Sequence, residues 1–455
     1  MLILAVLASP TAWAELSDPG PYGAGWVEVS VPRPGGGSFT ARLFYPAVGS
    51  GQGATYDAAG GPYPGITFGH GWVTAVTRYQ STLEHLATWG YFVIASNSYG
   101  CLFPDHGAFA DDLRWCLTYL EDQHRNPGSW LYQQVDLANF GASGHSMGGG
   151  ASVLATQRDT RIRALANMAA AETNPSAIAA IRSVYVPVCL IAGDDDSIVP
   201  PASHTIPMYD SAHAPRRLPL LDGGSHCGFL DSNIIGCDAG SLPRDTQLAL
   251  TRGLLTGFFN LYLKRDQMVW RQVWGPDVHT EPLINNSRAD PGIVLDPGHI
   301  GLRGFGGQTV RAEFLLRNSG SLPSRYTLLA EGNVWPTTPV PPQTVVLGPG
   351  ESTVVSMAVE IAEGAGGGFD NALFSARSDL DGGTRVYATV TTERRRRGDM
   401  NGDGVVNTAD VAAFADCLAG PDVAILDGCT DADLDLDGDV DLADCAIFQR
   451  NFGTD

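Results

Sequence analysis

The chain has 455 residues and 44% of them are hydrophobic, so it is long enough for two or three domains with buried cores. Its formal net charge of −21 argues against nucleic acid as a partner, because contacts to phosphates need a basic surface. No segment has 18 consecutive apolar residues, so the sequence predicts no membrane span.

The first fourteen residues, MLILAVLASPTAWA, form an apolar run that ends in the small-residue pattern Ala12-Trp13-Ala14. This pattern predicts a signal peptide over residues 1–14 and a mature start near Glu15. We therefore expect a secreted, extracellular protein.

Eight cysteines suit an oxidising compartment, and none lies in a C-x-x-C pair. Two pairs close short loops, so we expect a disulfide between Cys227 and Cys237 and another between Cys417 and Cys429. Cys189 lies inside the apolar run VPVCLIAG, which indicates a buried free thiol.

Residues 20–275 alternate short β-type runs with segments of helical periodicity, which predicts an α/β domain whose sheet is mostly parallel. Several of the strands lack alternation, as expected where both faces of a sheet are buried. The predicted strands are WVEVSVP, ARLFYPA, GITFGH, GYFVIASNS, LANFGASG, IRALANMAA, VPVCLIAG and RRLPLLDGG.

The composition changes around Trp274. Residues 290–392 are rich in Gly, Pro, Val and Thr, with alternating stretches such as TVRAEFLLRN, and this pattern is typical of an immunoglobulin-like β-sandwich. Such a module holds a ligand or spaces its neighbours, and a spacer is the favoured interpretation. Residues 393–398, ERRRRG, then predict a solvated hinge that could dock back on the acidic tail.

The tail over residues 399–455 contains two twelve-residue windows, DMNGDGVVNTAD and DLDLDGDVDLAD, with oxygen side chains at the positions of a calcium loop. A glycine at position 6 permits the tight turn, and two matching windows disfavour a disordered acidic tail. Both windows end in Asp instead of the Glu of the EF-hand pattern. The predicted calcium ligands are Asp399, Asn401, Asp403, Asn407 and Asp410 in the first window, and Asp433, Asp435, Asp437, Asp441 and Asp444 in the second.

G-x-S-x-G occurs as Gly144-His145-Ser146-Met147-Gly148, between the strand LANFGASG and the helix MGGGASVLATQR. A strand, a sharp turn and a helix are the setting of a nucleophile elbow, which makes Ser146 the candidate nucleophile. Glycine is abundant in this chain, so the pentapeptide alone is weak evidence and the candidate rests on its context.

A serine nucleophile needs a base and an orienting carboxylate, in the chain order Ser, Asp, His for this fold. Asp196 follows the strand VPVCLIAG, and His226 follows the strand RRLPLLDGG. An oxyanion hole would use the amides of Met147 and Trp72. For the Trp72 side chain two interpretations stay open, an aromatic wall of the cleft and a core tryptophan.

In combination, these segments resemble the cutinase-like polyester hydrolases, which include poly(ethylene terephthalate) hydrolases and are related to dienelactone hydrolases. The resemblance implies an α/β-hydrolase fold over residues 20–275, with Ser146, His226 and Asp196 as the triad. Aromatic-polyester hydrolases of this family usually carry a tryptophan where this chain reads MAAAETNPSA. The matching segments are GHSMGGG, DSIVP, GGSHC and the Gly71-Trp72 pair.

The two tail windows and the segments VAAFADCLAG and CAIFQRNFG resemble the duplicated calcium loops of type I dockerin modules, a small helical fold. This resemblance implies bound calcium over residues 399–455 and a cohesin-like partner.

The sequence as a whole favours a secreted serine carboxylic ester hydrolase acting on polyester or other ester substrates, with no cofactor for catalysis and calcium in the tail. Two alternatives stay open. One is a carbohydrate esterase that releases acetyl or feruloyl groups. The other is a non-catalytic scaffold protein whose function is calcium-dependent attachment.

Overall fold

A computed structural model describes residues 12–363, 368–380 and 384–453. The predicted signal peptide, residues 1–14, therefore lies almost wholly outside the described residues. The chain divides into two compact units, and the first unit ends at Ile293 apart from two short later segments. Among the described helices, none combines the length and the apolar character that crossing a membrane requires.

The first unit is built on a ten-stranded sheet with the order β10-β9-β8-β7-β6-β4-β5-β2-β1-β3. Its centre, from β5 to β9, is parallel, and β2 and β10 run antiparallel to their neighbours at either side. The strands are β1 (Gly23–Pro32), β2 (Ser38–Ala47), β3 (Gly51–Gln52), β4 (Tyr63–Gly69), β5 (Phe92–Ser96), β6 (Val135–His145), β7 (Ile162–Met168), β8 (Val188–Gly193), β9 (Arg216–Leu221) and β10 (Ile284–Asp290).

Helices connect these strands, as parallel pairing requires. Strands β4, β5 and β8 are buried along their whole length, which explains why their sequences are apolar without alternation. The α/β class predicted from the sequence is thus confirmed. The helices of this unit are α1 (Ala12–Ser17), α2 (Gln80–Thr88), α3 (His106–Arg125), α4 (Met147–Arg158), α5 (Ala177–Ala180), α6 (Thr205–Ser211), α7 (Arg244–Leu263) and α8 (Trp270–Val273).

The sheet continues beyond residue 275, where the sequence pattern placed the end of the domain. Strand β10 reads INNSRAD and pairs with β9 at the edge of the sheet. The hydrophobic pattern does not reveal β10, because the sequence of this strand is polar. The buried Asn286 satisfies its side-chain amide through Arg217 Nη2 and the Val278 carbonyl. A polar side chain therefore occupies a position where the pattern leads one to expect an apolar one.

The second unit contains two four-stranded sheets, with the orders β11-β13-β16-β15 and β12-β18-β17-β14. Burial alternates along β13, and the rings of Phe314 and Phe374, one from each sheet, lie 4.9 Å apart. The strands are β11 (Ile293–Asp296), β12 (His299–Gly304), β13 (Thr309–Asn318), β14 (Tyr326–Glu331), β15 (Thr337–Val340), β16 (Ser352–Glu360), β17 (Gly368–Ser378) and β18 (Arg385–Arg394).

Two helices, α9 (Thr408–Cys417) and α10 (Leu442–Asn451), complete the second unit. Each begins with a capping box, and the stacked rings of Phe414 and Phe448, 4.7 Å apart, join the helices. Phe305, from the turn after β12, is buried in the same apolar cluster. The C-terminal helices therefore share a core with the β-rich part of this unit.

The arginine-rich segment is packed. Arg394 still belongs to β18, Arg395 forms an ion pair with Asp431, and Arg397 donates to the Gly306 carbonyl at 3.1 Å. Arg395 thus docks on the acidic tail, and Arg397 binds the turn after β12, so the segment is half-buried and not a fully solvated hinge.

Both predicted disulfides, Cys227–Cys237 and Cys417–Cys429, are present. Cys189 is a buried free thiol as predicted, and burial raises its pKa to about 11 although Arg217 opposes the shift. A thiol with this pKa is inert at neutral pH.

Buried histidines make the stability of the first unit depend on pH. His85 is 4% exposed, and its Nε2 lies 3.1 Å from the Leu16 carbonyl and 3.0 Å from Thr256 Oγ1. Burial first, and then the charge of Arg252, lower its pKa from 6.5 to about 4. Between these pH values His85 is protonated in the unfolded chain and neutral in the folded chain. Acid therefore favours unfolding.

We expect the free energy of unfolding to fall as the pH drops from about 6.5 to about 4. His85 contributes about 2 kcal/mol of this loss between pH 7 and pH 5, at about 1.4 kcal/mol for each pH unit below its unfolded pKa. Urea unfolding at the two pH values measures the loss, and His85→Gln should reduce it. The exposed His279 provides the control variant, His279→Gln, and an equal pH dependence in all three proteins would contradict the prediction.

Candidate active site and calcium loops

Ser146 forms the turn between β6, which ends at His145, and α4, which begins at Met147. Its φ of 57° and ψ of −123° are rarely adopted by residues with a side chain, so the turn is strained. Backbone hydrogen bonds hold it: the Ser146 N–H donates to the Met168 carbonyl at 3.0 Å, and the Ser146 carbonyl accepts from the Ala171 N–H at 2.9 Å. The turn places Ser146 at the carboxyl edge of the sheet and at the start of a helix.

The glycines around Ser146 are required by close backbone packing. A Cβ at Gly144 would lie 2.4 Å from the Gly148 carbonyl oxygen, and a Cβ at Gly148 would lie 2.1 Å from the Gly69 carbonyl oxygen. A Cβ at Gly150 would lie 2.3 Å from the Ala171 carbonyl oxygen. The run of glycines in GHSMGGG is therefore explained by contacts of the turn with β4 and with the segment after β7.

Asp196 and His226 lie just beyond the carboxyl ends of β8 and β9, and the structure brings them together. His226 Nδ1 is 2.7 Å from Asp196 Oδ2, and both residues are buried. The other carboxylate oxygen of Asp196, Oδ1, accepts the N–H groups of Ile198 and Val199 at 3.0 and 2.7 Å. These bonds fix the carboxylate, and the carboxylate fixes the tautomer and orientation of the imidazole.

His226 also lies beside the turn of Ser146. Its ring centroid is 4.5 Å from that of His145, the residue before Ser146. Within the described residues, Ser146 Oγ and His226 make no direct hydrogen bond. Such bonds are often long in unliganded active sites and tighten when a ligand binds.

The loop after β4 reaches the same turn. A Cβ on Gly71 would lie 3.0 Å from the Tyr79 hydroxyl oxygen and 3.2 Å from His145 Nδ1, so a side chain there would force these groups to move. Among the described residues, neither the Trp72 N–H nor the Met147 N–H has a hydrogen-bond acceptor. Both amides are therefore free to bind a ligand oxygen.

Trp72 is 54% exposed, so it is not a core tryptophan. Its Nε1–H donates to the Leu102 carbonyl at 3.1 Å, which ties the indole to the loop after β5. Leu102 and Phe103 in that loop are 62% and 93% exposed. An apolar surface thus borders the loop that carries the free amide.

Asp238 is a site residue that the sequence analysis missed. Its carboxylate accepts the N–H groups of His226 at 2.8 Å, Cys227 at 3.0 Å and Ser197 at 3.3 Å. One side chain thereby joins the loop of His226 to the loop of Asp196. The predicted Cys227–Cys237 disulfide contained the signal, because it brings the residue after Cys237 next to His226.

The two acidic windows of the tail have closely similar internal hydrogen bonds. In the first, Asp399 accepts from the Gly402, Asp403 and Gly404 N–H groups, and Asp410 accepts from those of Met400, Asn401 and Asn407. In the second, Asp433 accepts from Leu436 and Gly438, and Asp444 accepts from Leu434, Asp435 and Asp441. Positions 1 and 12 therefore organise each loop from its two ends.

The second loop gathers carboxylate oxygens within 4.8 Å of one another, in the sets Asp433, Asp435, Asp437 and Asp439, Asp441, Asp444. Desolvation first, and then the neighbouring carboxylates, raise the pKa of Asp435. Asp439, which the sequence analysis did not select, has a buried Oδ1 without a hydrogen-bond partner among the described residues. Hard oxygen ligands in this number fit a calcium ion.

The close contact between β4 and α4 predicts that Gly148→Ala will disrupt the Ser146 turn. The added methyl group would overlap the Gly69 carbonyl, and the backbone atoms there cannot yield cheaply. We expect a loss of about 3 kcal/mol or more in the free energy of unfolding, measured by urea denaturation. Gly301→Ala, where a Cβ meets open space, is the matched control. Equal stability of the two variants would contradict the expected overlap.

Comparison with known proteins gives two family matches. Residues 18–237 match the PET hydrolase-like family, and residues 397–453 match the type I dockerin domain.

Similarity to individual proteins is partial. Cutinase est1 of Thermobifida alba is 32% identical over 28% of this chain and 40% of that protein, and Cutinase 1 of Thermobifida cellulosilytica is 30% identical over 31% and 52%. Lipase 1 of Moraxella sp. (strain TA144) is 28% identical over 34% of this chain and 46% of that protein. The chain thus spans about half the length of the curated relatives it matches. Residues 18–237 are thus similar to the PET hydrolase-like family, and residues 397–453 are similar to the type I dockerin domain.

Proposed function

We propose that this protein is a serine carboxylic ester hydrolase in which Ser146 is the nucleophile, His226 the general base and acid, and Asp196 its orienting partner. The observation that carries the proposal is the strained Ser146 turn beside the 2.7 Å hydrogen bond between His226 and Asp196. The match of residues 18–237 to the PET hydrolase-like family supports the same reaction class.

The residues divide the reaction into two steps. Ser146 Oγ attacks the ester carbonyl while His226 Nε2 takes the hydroxyl proton, and His226 then gives that proton to the leaving alcohol oxygen as the C–O bond breaks. The acyl group is left on Ser146. Water, deprotonated by His226, attacks the acyl-enzyme, and the acid is released as Ser146 Oγ regains a proton.

The oxyanion formed in each step would bind the free N–H groups of Trp72 and Met147. Met147 is the first residue of α4, so the partial positive charge at that end of the helix adds to its donor. The second donor would be the Trp72 N–H, because the preceding residue, Gly71, is tied through the Tyr79 hydroxyl to His145, the neighbour of Ser146.

An apolar surface beside the proposed site suggests the substrate class. The half-exposed Trp72 with Leu102 and Phe103 offers an open apolar surface, which suits a polyester or another large apolar ester. The segment Met168–Ala177 supplies no aromatic residue, whereas this surface offers the rings of Trp72 and Phe103. Product analysis on polyester film and on acetylated or feruloylated xylan distinguishes the polyesterase from the alternative carbohydrate esterase.

For the rest of the chain we propose the following layout. Residues 20–275, extended by β10, form the catalytic α/β-hydrolase domain, and residues 290–392 form an immunoglobulin-like β-sandwich that spaces it from the tail. The dockerin domain, residues 399–455, binds calcium and attaches the secreted enzyme to a cohesin-like partner outside the cell. The reaction itself requires no cofactor, because the three side chains and two amides supply its acid, base and electrostatic groups.

The nucleophile is tested by Ser146→Ala, which should lower kcat for p-nitrophenyl butyrate by at least about a thousandfold. Wild-type protein should gain one fluorophosphonate adduct on Ser146, detected by mass spectrometry, and the variant should gain none. Ser143→Ala is the control, because Ser143 lies on β6, the strand that leads into Ser146, and its buried hydroxyl has no partner among the described residues. A Ser146→Ala variant with the wild-type rate would refute the assignment.

Calcium in the tail is tested by titration calorimetry of the full chain, where we expect two ions to bind. Asp403→Ala and Asp437→Ala, each at position 5 of its loop, should each remove one ion, since that position supplies an oxygen ligand. The exposed Asp416 on α9 lies outside both loops and gives the control Asp416→Ala. Removing calcium with EDTA should leave p-nitrophenyl butyrate hydrolysis unchanged, and a matching loss of activity would instead indicate a metal-dependent reaction.

A further inference from the structure

Tyr79 is a fully buried residue at the end of a short 3-10 helix, Val76–Tyr79, that leads into α2. Its hydroxyl oxygen accepts the Gly71 N–H at 2.9 Å and lies 2.9 Å from Nδ1 of His145. The phenol ring packs against Phe68 of β4, with 5.1 Å between the ring centroids. The side chain is therefore held on several sides, and its hydroxyl joins two separate segments.

Both segments carry groups of the proposed reaction. Gly71 precedes Trp72, the proposed oxyanion donor, and His145 precedes Ser146, the proposed nucleophile. The hydroxyl has a single proton. Because it accepts from Gly71, it can give that proton to His145, which then acts as an acceptor at Nδ1.

The environment of His145 favours this arrangement. The imidazole is 2% exposed, and its pKa lies well below the ordinary value, first because of burial and then because of the nearby His226, although the His226 backbone opposes the shift. A neutral ring keeps Nδ1 available as an acceptor. Its face lies against two further rings, with centroids 4.5 Å from that of His226 and 5.7 Å from that of Phe229.

We propose that Tyr79 is a positioning residue for ester hydrolysis, whose hydroxyl fixes the loop of the Trp72 amide relative to Ser146 and, through the His145 ring, relative to His226. The proposal rests on the function proposed above. Nothing in the sequence pattern singled out Tyr79, because a tyrosine at the start of a helix is ordinarily a core residue. Its role depends on two contacts that only the fold creates.

Tyr79→Phe removes the hydroxyl and keeps the ring. We expect kcat for p-nitrophenyl butyrate to fall about tenfold or more while KM changes less than about twofold, since small displacements of catalytic groups affect the transition state most. The rate of fluorophosphonate labelling of Ser146 should fall in parallel. Tyr91→Phe is the matched control. Tyr91 is also fully buried, and its hydroxyl donates to Asn260 Oδ1 at 2.8 Å, a contact that involves no residue of the proposed reaction.

Stability separates positioning from folding. Both variants should lose a few degrees of Tm, since Tyr79→Phe loses two buried hydrogen bonds and Tyr91→Phe loses one, but only Tyr79→Phe should lose activity. Equal activity in the two variants would overturn the proposal. His145→Phe, which removes the acceptor and keeps a ring, should lower kcat in the same direction, and an unchanged kcat there would also count against it.

The outcomes also separate this inference from the proposed function. Wild-type protein without hydrolysis or labelling would refute the function itself. Active wild-type protein with an unaffected Tyr79→Phe variant would refute only the role of Tyr79.

Discussion

The close approach of two backbone segments, β4 at Gly69 and the first turn of α4 at Gly148, is the constraint on which the site depends. This contact leaves no space for a Cβ, and it presses the helix onto the sheet at the point where Ser146 adopts a positive φ. The strain of one residue is held by hydrogen bonds to Met168 and Ala171. Without that packing, the turn would relax and the serine would leave the edge of the sheet.

Carboxylates that accept backbone N–H groups recur through this acidic chain. Asp196 binds two amides of its own loop, Asp238 binds three amides in two loops, and Asp399 binds three within a predicted calcium loop. Each carboxylate orders a loop of the candidate active site or of the acidic tail, and such charge-assisted bonds are stronger than those between neutral groups. Some of the carboxylates that give the chain its net charge of −21 therefore serve to order loops.

Much of the fold could be predicted because buried parallel strands and amphipathic helices leave periodic signals. The α/β class and both disulfides are confirmed. Strand β10 was missed because Asn286 satisfies its polar side chain through Arg217, a partner 69 residues distant that a local pattern cannot reveal.

The candidate site divides in the same way. Ser146, Asp196 and His226 follow strands, so their order in the chain indicates their meeting point at the edge of the sheet. Asp238 and Tyr79 follow no such rule. Asp238 reaches its place through a disulfide, and Tyr79 through contacts with two loops, so sequence periodicity carries no signal for either.

The disulfide after His226 has a consequence for conformational entropy. Cys227 and Cys237 are separated by ten residues, so the bond closes a short loop directly behind the imidazole and removes many of its alternative conformations. Asp238, the residue after Cys237, adds two hydrogen bonds, because its carboxylate accepts the N–H groups of His226 and Cys227. The proposed base, His226, is therefore ordered by the covalent connectivity of its own loop in addition to its hydrogen bonds with Asp196 and Asp238.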